Sequence, residues 1–94
     1  MSIDCTSRVI WKASVAQSFW FNKPENAKHL MTANSVLELG TGTGLLGIFC
    51  YLKMKAMGRK DDFKMTLTDL EKPSLDITIN NLDLNGVNKS LVDV

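Results

Sequence analysis

The sequence predicts an α/β fold in which parallel strands alternate with helices, and three observations carry that prediction. The run Val36-Leu37-Glu38-Leu39-Gly40-Thr41-Gly42-Thr43-Gly44-Leu45-Leu46-Gly47 passes from an apolar strand through glycines into an apolar helical stretch. Phe63 to Leu70 then alternates apolar and polar residues, as a second strand does. Leu75, Ile79 and Leu82 keep helical spacing before Ser90-Leu91-Val92-Asp93-Val94 opens a third strand. Strand, helix, strand, helix, strand is the order of a Rossmann-like parallel sheet with flanking helices, and here it stops after the start of its third strand.

The leading segment, residues 1–34, reads as helical. Residues 1–10 are polar and then weakly apolar, a loose arm or a short edge strand. Trp11, Val15 and Phe19, with Ala16 and Trp20 beside them, predict a helix over Lys12 to Phe21 that ends at Asn22-Lys23-Pro24. A short helix over Glu25 to Met31 leads into the strand at 35–39, where Val36, Leu37 and Leu39 are expected to be buried. After the glycines, Leu45, Ile48, Phe49 and Leu52 form one apolar stripe of a helix, thickened by Leu46, Cys50 and Met54. Gly47 allows that helix to approach the sheet closely. Gly58 to Asp62 reads as a turn carrying solvated charge. In the next helix Pro73 suits the first turn, where its missing N–H is harmless, and Asn85-Gly86 suits the end.

Composition narrows the function. The net charge of +1 gives no electrostatic case for nucleic acid or for an anionic membrane. No apolar run approaches the ~18 residues of a membrane-spanning helix, and the N-terminus lacks the basic start and apolar core of a signal peptide. Cys5 and Cys50 are isolated, so neither metal nor disulfide is suggested and a reducing, cytoplasmic location follows. His29, the only histidine, has no partner in a catalytic spacing and is expected on the surface or at a helix end. With 94 residues the chain is at most one domain, and its margin of stability is expected to be thin.

The glycine run carries the chemistry. Backbone N–H groups approach a ligand closely where no Cβ intervenes, and the helix N-terminus behind them favours electron-rich groups. One register, Gly42-Thr43-Gly44-Leu45-Leu46-Gly47, is the G-x-G-x-x-G of dinucleotide folds. Read two residues earlier, the run places Glu38 at the strand end just before Gly40, Gly42 and Gly44. A carboxylate there repels a pyrophosphate but attracts the ammonium and sulfonium of S-adenosylmethionine. Asp69, at the end of the second strand, falls where a carboxylate accepts both ribose hydroxyls of either cofactor. The bland alternative for Asp69 is a turn aspartate that satisfies backbone N–H groups before a helix.

Val36 to Phe49, "VLELGTGTGLLGIF", resembles the first motif of class I (seven-strand) methyltransferases, and most closely that of the METTL21-like protein-lysine methyltransferases. Val9-Ile10-Trp11-Lys12-Ala13-Ser14 is similar to the "VWxxA" segment of that family, with Lys12 standing where the family commonly has proline or an acid. Thr66-Leu67-Thr68-Asp69-Leu70 and Asn81-Leu82-Asp83-Leu84-Asn85 resemble its "vtDl" and "NxxxN" segments. The resemblance implies S-adenosyl-L-methionine as cofactor, a donor site of Trp11, Glu38, Gly40, Thr41, Gly42, Thr43, Gly44 and Asp69, and a protein lysine as acceptor. Trp11 equally suits a core tryptophan, and Asn81 and Asn85 read as supporting rather than ligand-binding residues. No catalytic residue is carried over, since the family's adenine-contacting and lysine-holding segments match nothing here. The chain is thus expected to be the N-terminal part of one methyltransferase domain, inactive alone unless a pairing chain completes its sheet. Two alternatives are a non-catalytic cofactor-binding or regulatory module and a fragment of an NAD(P)-binding oxidoreductase.

Overall fold

A computed structural model of the protein describes residues 12–94. Helix α1 spans Lys12–Asn22, α2 Pro24–Thr32, strand β1 Ser35–Leu39, α3 Leu45–Ala56, β2 Lys64–Thr68 and α4 Lys72–Leu84. A 3₁₀ turn over Lys89–Leu91 then enters strand β3, Val92–Asp93. Pro24 does more than end α1. It occupies the first turn of α2, where a fixed φ favours the helix and no amide hydrogen bond is lost. The strands form one parallel sheet in the order β1-β2-β3, with Val36 opposite Met65, Glu38 opposite Leu67, and Met65 opposite Val92.

Both crossovers step the same way across the sheet, so right-handed connections put α3 and α4 on one face. That face holds the core, in which Met54, Met65, Leu67 and Leu82 are fully buried. Each such side chain contributes about 1.5–3 kcal/mol by leaving water. The expectation that β1 is buried on both faces is corrected. Val36 faces the helices, while Leu37 and Leu39 remain 64% and 77% exposed on the other face. The third strand is also shorter than 90–94, because Lys89 to Leu91 coil into the 3₁₀ turn first.

Three helices match their apolar spacing only in part: Ile48, Cys50 and Met54 of the expected α3 stripe and Leu82 of α4 are buried, and other expected residues are not. On α3 the buried residues are Gly47, Ile48, Cys50, Tyr51 and Met54, whereas Leu52 is exposed and Leu45 and Phe49 are only partly covered. On α4 the buried set is Ser74, Thr78 and Leu82, and Ile79 turns outward. Helix α1 buries no residue. It lies along α3, with Ser14, Ser18 and Phe21 partly covered and Phe19 68% exposed. The end of α4 is as expected: Asn85 caps it and Gly86 takes a φ of +67°, a left-handed conformation suited to glycine.

The turn at 58–62 is more than solvated charge. The Arg59 guanidinium is largely buried and donates to the carbonyls of Leu30 and Ala33 at 2.6 and 2.9 Å. It thereby satisfies orphan carbonyls at the end of α2 while pairing with Asp62 and lying over the Phe63 ring. His29 is exposed in the last turn of α2 and stacks on Trp20 with ring centroids 5.8 Å apart.

Candidate functional site

The site is built where β1 and β2 end together. Leaving β1, the chain places Gly40, Gly42 and Gly44 at φ of +69°, +58° and +85°, three left-handed residues in alternation. Only glycine adopts that series without strain. Ideal Cβ atoms on Gly40 and Gly42 would meet nothing within 4 Å, so this side of the loop is open. Gly44 is different, since a Cβ there would lie 3.0 Å from the Thr78 methyl. Gly44 then starts α3, its amide having turned back to the Thr41 carbonyl at 2.8 Å.

Glu38 lies on the helix-covered face and reaches over the start of α3. Its Oε1 accepts the Thr41 hydroxyl at 2.7 Å and stands beside Gly47 in the first turn of α3. A carboxylate at a helix N-terminus is well placed electrostatically. Burial nevertheless pushes its pKa above the ordinary carboxylate value, and the Asp69 charge adds to the push. The close approach expected at Gly47 is present: a Cβ there would lie 2.6 Å from Leu67 Cδ2 and 3.2 Å from Glu38 Oε1.

Asp69 follows β2 immediately and ties the two strand ends together. Its Oδ2 accepts the Gly42 amide at 3.0 Å, and its Oδ1 accepts the Glu71 amide at 3.2 Å. The turn role is therefore filled. An ionised carboxylate has about four acceptor positions, so capacity for a pair of hydroxyl donors remains. Thr68 reinforces the same junction, its hydroxyl donating to the Glu38 carbonyl at 2.9 Å while its own carbonyl accepts the Thr41 amide at 2.7 Å.

From the far side α4 grips the loop. The fully buried Thr78 donates its hydroxyl to the Gly42 carbonyl at 2.8 Å, and Asn81 Nδ2 donates to the Thr43 carbonyl at 2.7 Å. Asn81 is thus a supporting residue, while Asn85 Nδ2 donates to the Asn81 carbonyl within the helix end. Of the expected site residues, Glu38, Gly40, Thr41, Gly42, Thr43, Gly44 and Asp69 come together in this one junction. Trp11 lies outside the described residues.

Sequence reasoning passed over Thr78, Thr68 and Ser74. Ser74 and Thr78 were visible as small polar residues one helical turn apart, in register with the apolar Leu82. That pattern marks a helix face packed against backbone rather than against large side chains. The Ser74 hydroxyl is buried and has no partner among the described residues.

A glycine turn at the carboxyl edge of a parallel sheet, tied to an acidic residue on the next strand, defines a Rossmann-like unit whose crevice lies at the strand ends. The family model described as lysine methyltransferase matches residues 2–94, and the chain belongs to that family. A search of curated proteins finds no match. Among the described residues, no helix is long and apolar enough to cross a membrane.

Proposed function

We propose that these residues form the donor-binding portion of an S-adenosylmethionine-dependent protein-lysine methyltransferase. The observation that carries the reading is the open, left-handed glycine turn tied at 3.0 Å to Asp69, in a chain of the lysine methyltransferase family. Gly40 and Gly42 leave the space a backbone-bound ligand needs, and Glu38 and Asp69 put two carboxylates around the same loop. That charge suits a cationic donor and opposes a pyrophosphate, which argues against the dinucleotide reading.

S-adenosylmethionine supplies an electrophilic methyl group on its sulfonium. The chain's own part is to hold the donor: loop amides take its amino-acid end, Asp69 takes the ribose hydroxyls, and Glu38 orients the cationic centre from beside Thr41. Transfer to lysine further requires a neutral amine held in line with the methyl carbon. No residue of the junction is assigned to that task, so donor binding without transfer is the activity proposed for the chain alone. The exposed Leu37 and Leu39 support a sheet that functions when further structure, in the same or a pairing chain, covers this face. The reading includes a cytoplasmic or nuclear location for the protein itself and a protein lysine side chain as acceptor.

The test is Asp69→Ala against wild type, titrated with S-adenosylhomocysteine. Loss of the charged hydrogen bonds should weaken binding by about 1.5–3 kcal/mol. Equal dissociation constants would remove Asp69 from the site.

A further inference from the structure

Two consecutive carbonyls of the glycine loop are held by one helix. Thr78 takes the Gly42 carbonyl and Asn81 takes the Thr43 carbonyl, at 2.8 and 2.7 Å. These two peptide planes flank Thr43, so fixing both fixes the backbone of that residue. In a planar trans peptide the N–H points opposite to the C=O. With the Gly42 carbonyl turned to α4, the Thr43 amide is turned away from α4, and it donates to no acceptor among the described residues. The plane after Thr43 is pinned on both sides, since the Gly44 amide donates to the Thr41 carbonyl at 2.8 Å.

The cost of this arrangement shows what it secures. Thr78 is fully buried, with 0% of its surface in water, so a polar hydroxyl occupies a core position of α4. Its methyl group stands 3.0 Å from the Cβ position of Gly44, which closes the back of the loop. A backbone of three left-handed glycines has many conformations to lose, and a loop that must present amides to a ligand binds more tightly when these are lost beforehand.

We propose that Thr78 and Asn81 are positioning residues for the donor: α4 holds the glycine loop by its carbonyls so that the Thr43 amide is preset for the carboxylate of the donor's amino-acid end. The assignment rests on the donor-binding function proposed above. It separates two roles within α4, with Leu82 packing the core and Thr78 and Asn81 setting the loop.

The test uses Thr78→Val, which keeps the shape and removes the donor hydroxyl, Asn81→Ala, and Thr78→Ser, which keeps the hydroxyl. Two measurements are made on each chain and on wild type. Amide hydrogen exchange compares Thr41 to Gly44 with the β2 core amides of Met65 and Leu67. Calorimetry compares S-adenosylhomocysteine with 5′-methylthioadenosine, which lacks the amino-acid arm. Thr78→Val and Asn81→Ala should speed exchange in the loop alone, weaken S-adenosylhomocysteine about tenfold, and leave 5′-methylthioadenosine unchanged, with Thr78→Ser restoring wild-type behaviour. Unchanged loop exchange, equal weakening of both ligands, or a Thr78→Val chain that does not fold would each overturn the positioning role. Wild type that binds neither ligand would instead contradict the donor-binding function, while the exchange data still decide whether α4 sets the loop.

Discussion

Gly47 brings α3 close against Leu67 of the sheet, and Gly47→Ala tests whether that contact governs the fold. Intrinsic propensity alone makes the change favourable, because alanine in a helix interior is better than glycine by about 1 kcal/mol. Packing opposes it. The new Cβ would sit 2.6 Å from Leu67 Cδ2 and 3.1 Å from Leu67 Cδ1, against about 3.5–4.0 Å for carbon atoms in contact. Leu67 is fully buried on β2 and has no solvent side into which to rotate. Overpacking of this kind costs about 1–3 kcal/mol, so the substitution should be net destabilising by about 1 kcal/mol. For a domain of this size that lowers the melting temperature by about 4–8 °C. Thermal denaturation followed by circular dichroism reads the shift, and the Leu67→Ala background supplies the control. There the space is vacated, and Gly47→Ala should become stabilising. A Gly47→Ala chain that melts higher than wild type, as propensity alone requires, would refute the close contact.

Three further outcomes are expected. Burial raises the Glu38 pKa, so the folded state holds that proton longer than the unfolded state; this contribution is complete below the ordinary value of 4.5 and is lost as pH rises through the folded value. Glu38→Gln should remove that part of the slope, seen as a stability difference from wild type that grows between pH 4.5 and neutrality in urea titrations, and parallel curves would contradict it. Burial pushes the Cys50 thiol up to about 12 from 9.0, so alkylation of the Cys50 peptide in the folded chain, followed by mass spectrometry, should run at least about a thousandfold slower than in urea. Arg59→Ala strands the Leu30 and Ala33 carbonyls and should cost about 2–3 kcal/mol of stability by urea denaturation, with no change expected if the guanidinium were merely solvated.

The parts of the fold legible in the sequence are those fixed by local backbone chemistry. The alternation from Phe63 to Leu67, the glycine turn and the Asn85-Gly86 helix end each state a conformation within a few residues, and each is present. Helix faces were less legible, because a face is chosen by what it meets. Helix α3 has apolar residues around most of its circumference, so Leu45, Phe49 and Leu52 competed with the truly buried Gly47 and Tyr51, while Ile48, Cys50 and Met54 were read correctly. Helix α4 meets the glycine backbone rather than a layer of large side chains, and close approach selects Ser74 and Thr78 over Leu75 and Ile79. For the site, Glu38, the glycines and Asp69 were readable from their places at strand ends. The grip of Thr78 and Asn81 was not, since it joins segments more than thirty residues apart. Arg59 was misread for the same reason: its acceptors belong to another helix end.

Donor binding by the glycine junction is read most directly by calorimetric titration of the 94-residue chain with S-adenosylhomocysteine, with NAD as the competing ligand and circular dichroism as the check on folding. Saturable binding of S-adenosylhomocysteine and none of NAD is the expected result. Saturable binding of NAD by a folded chain, or of neither compound, would contradict it.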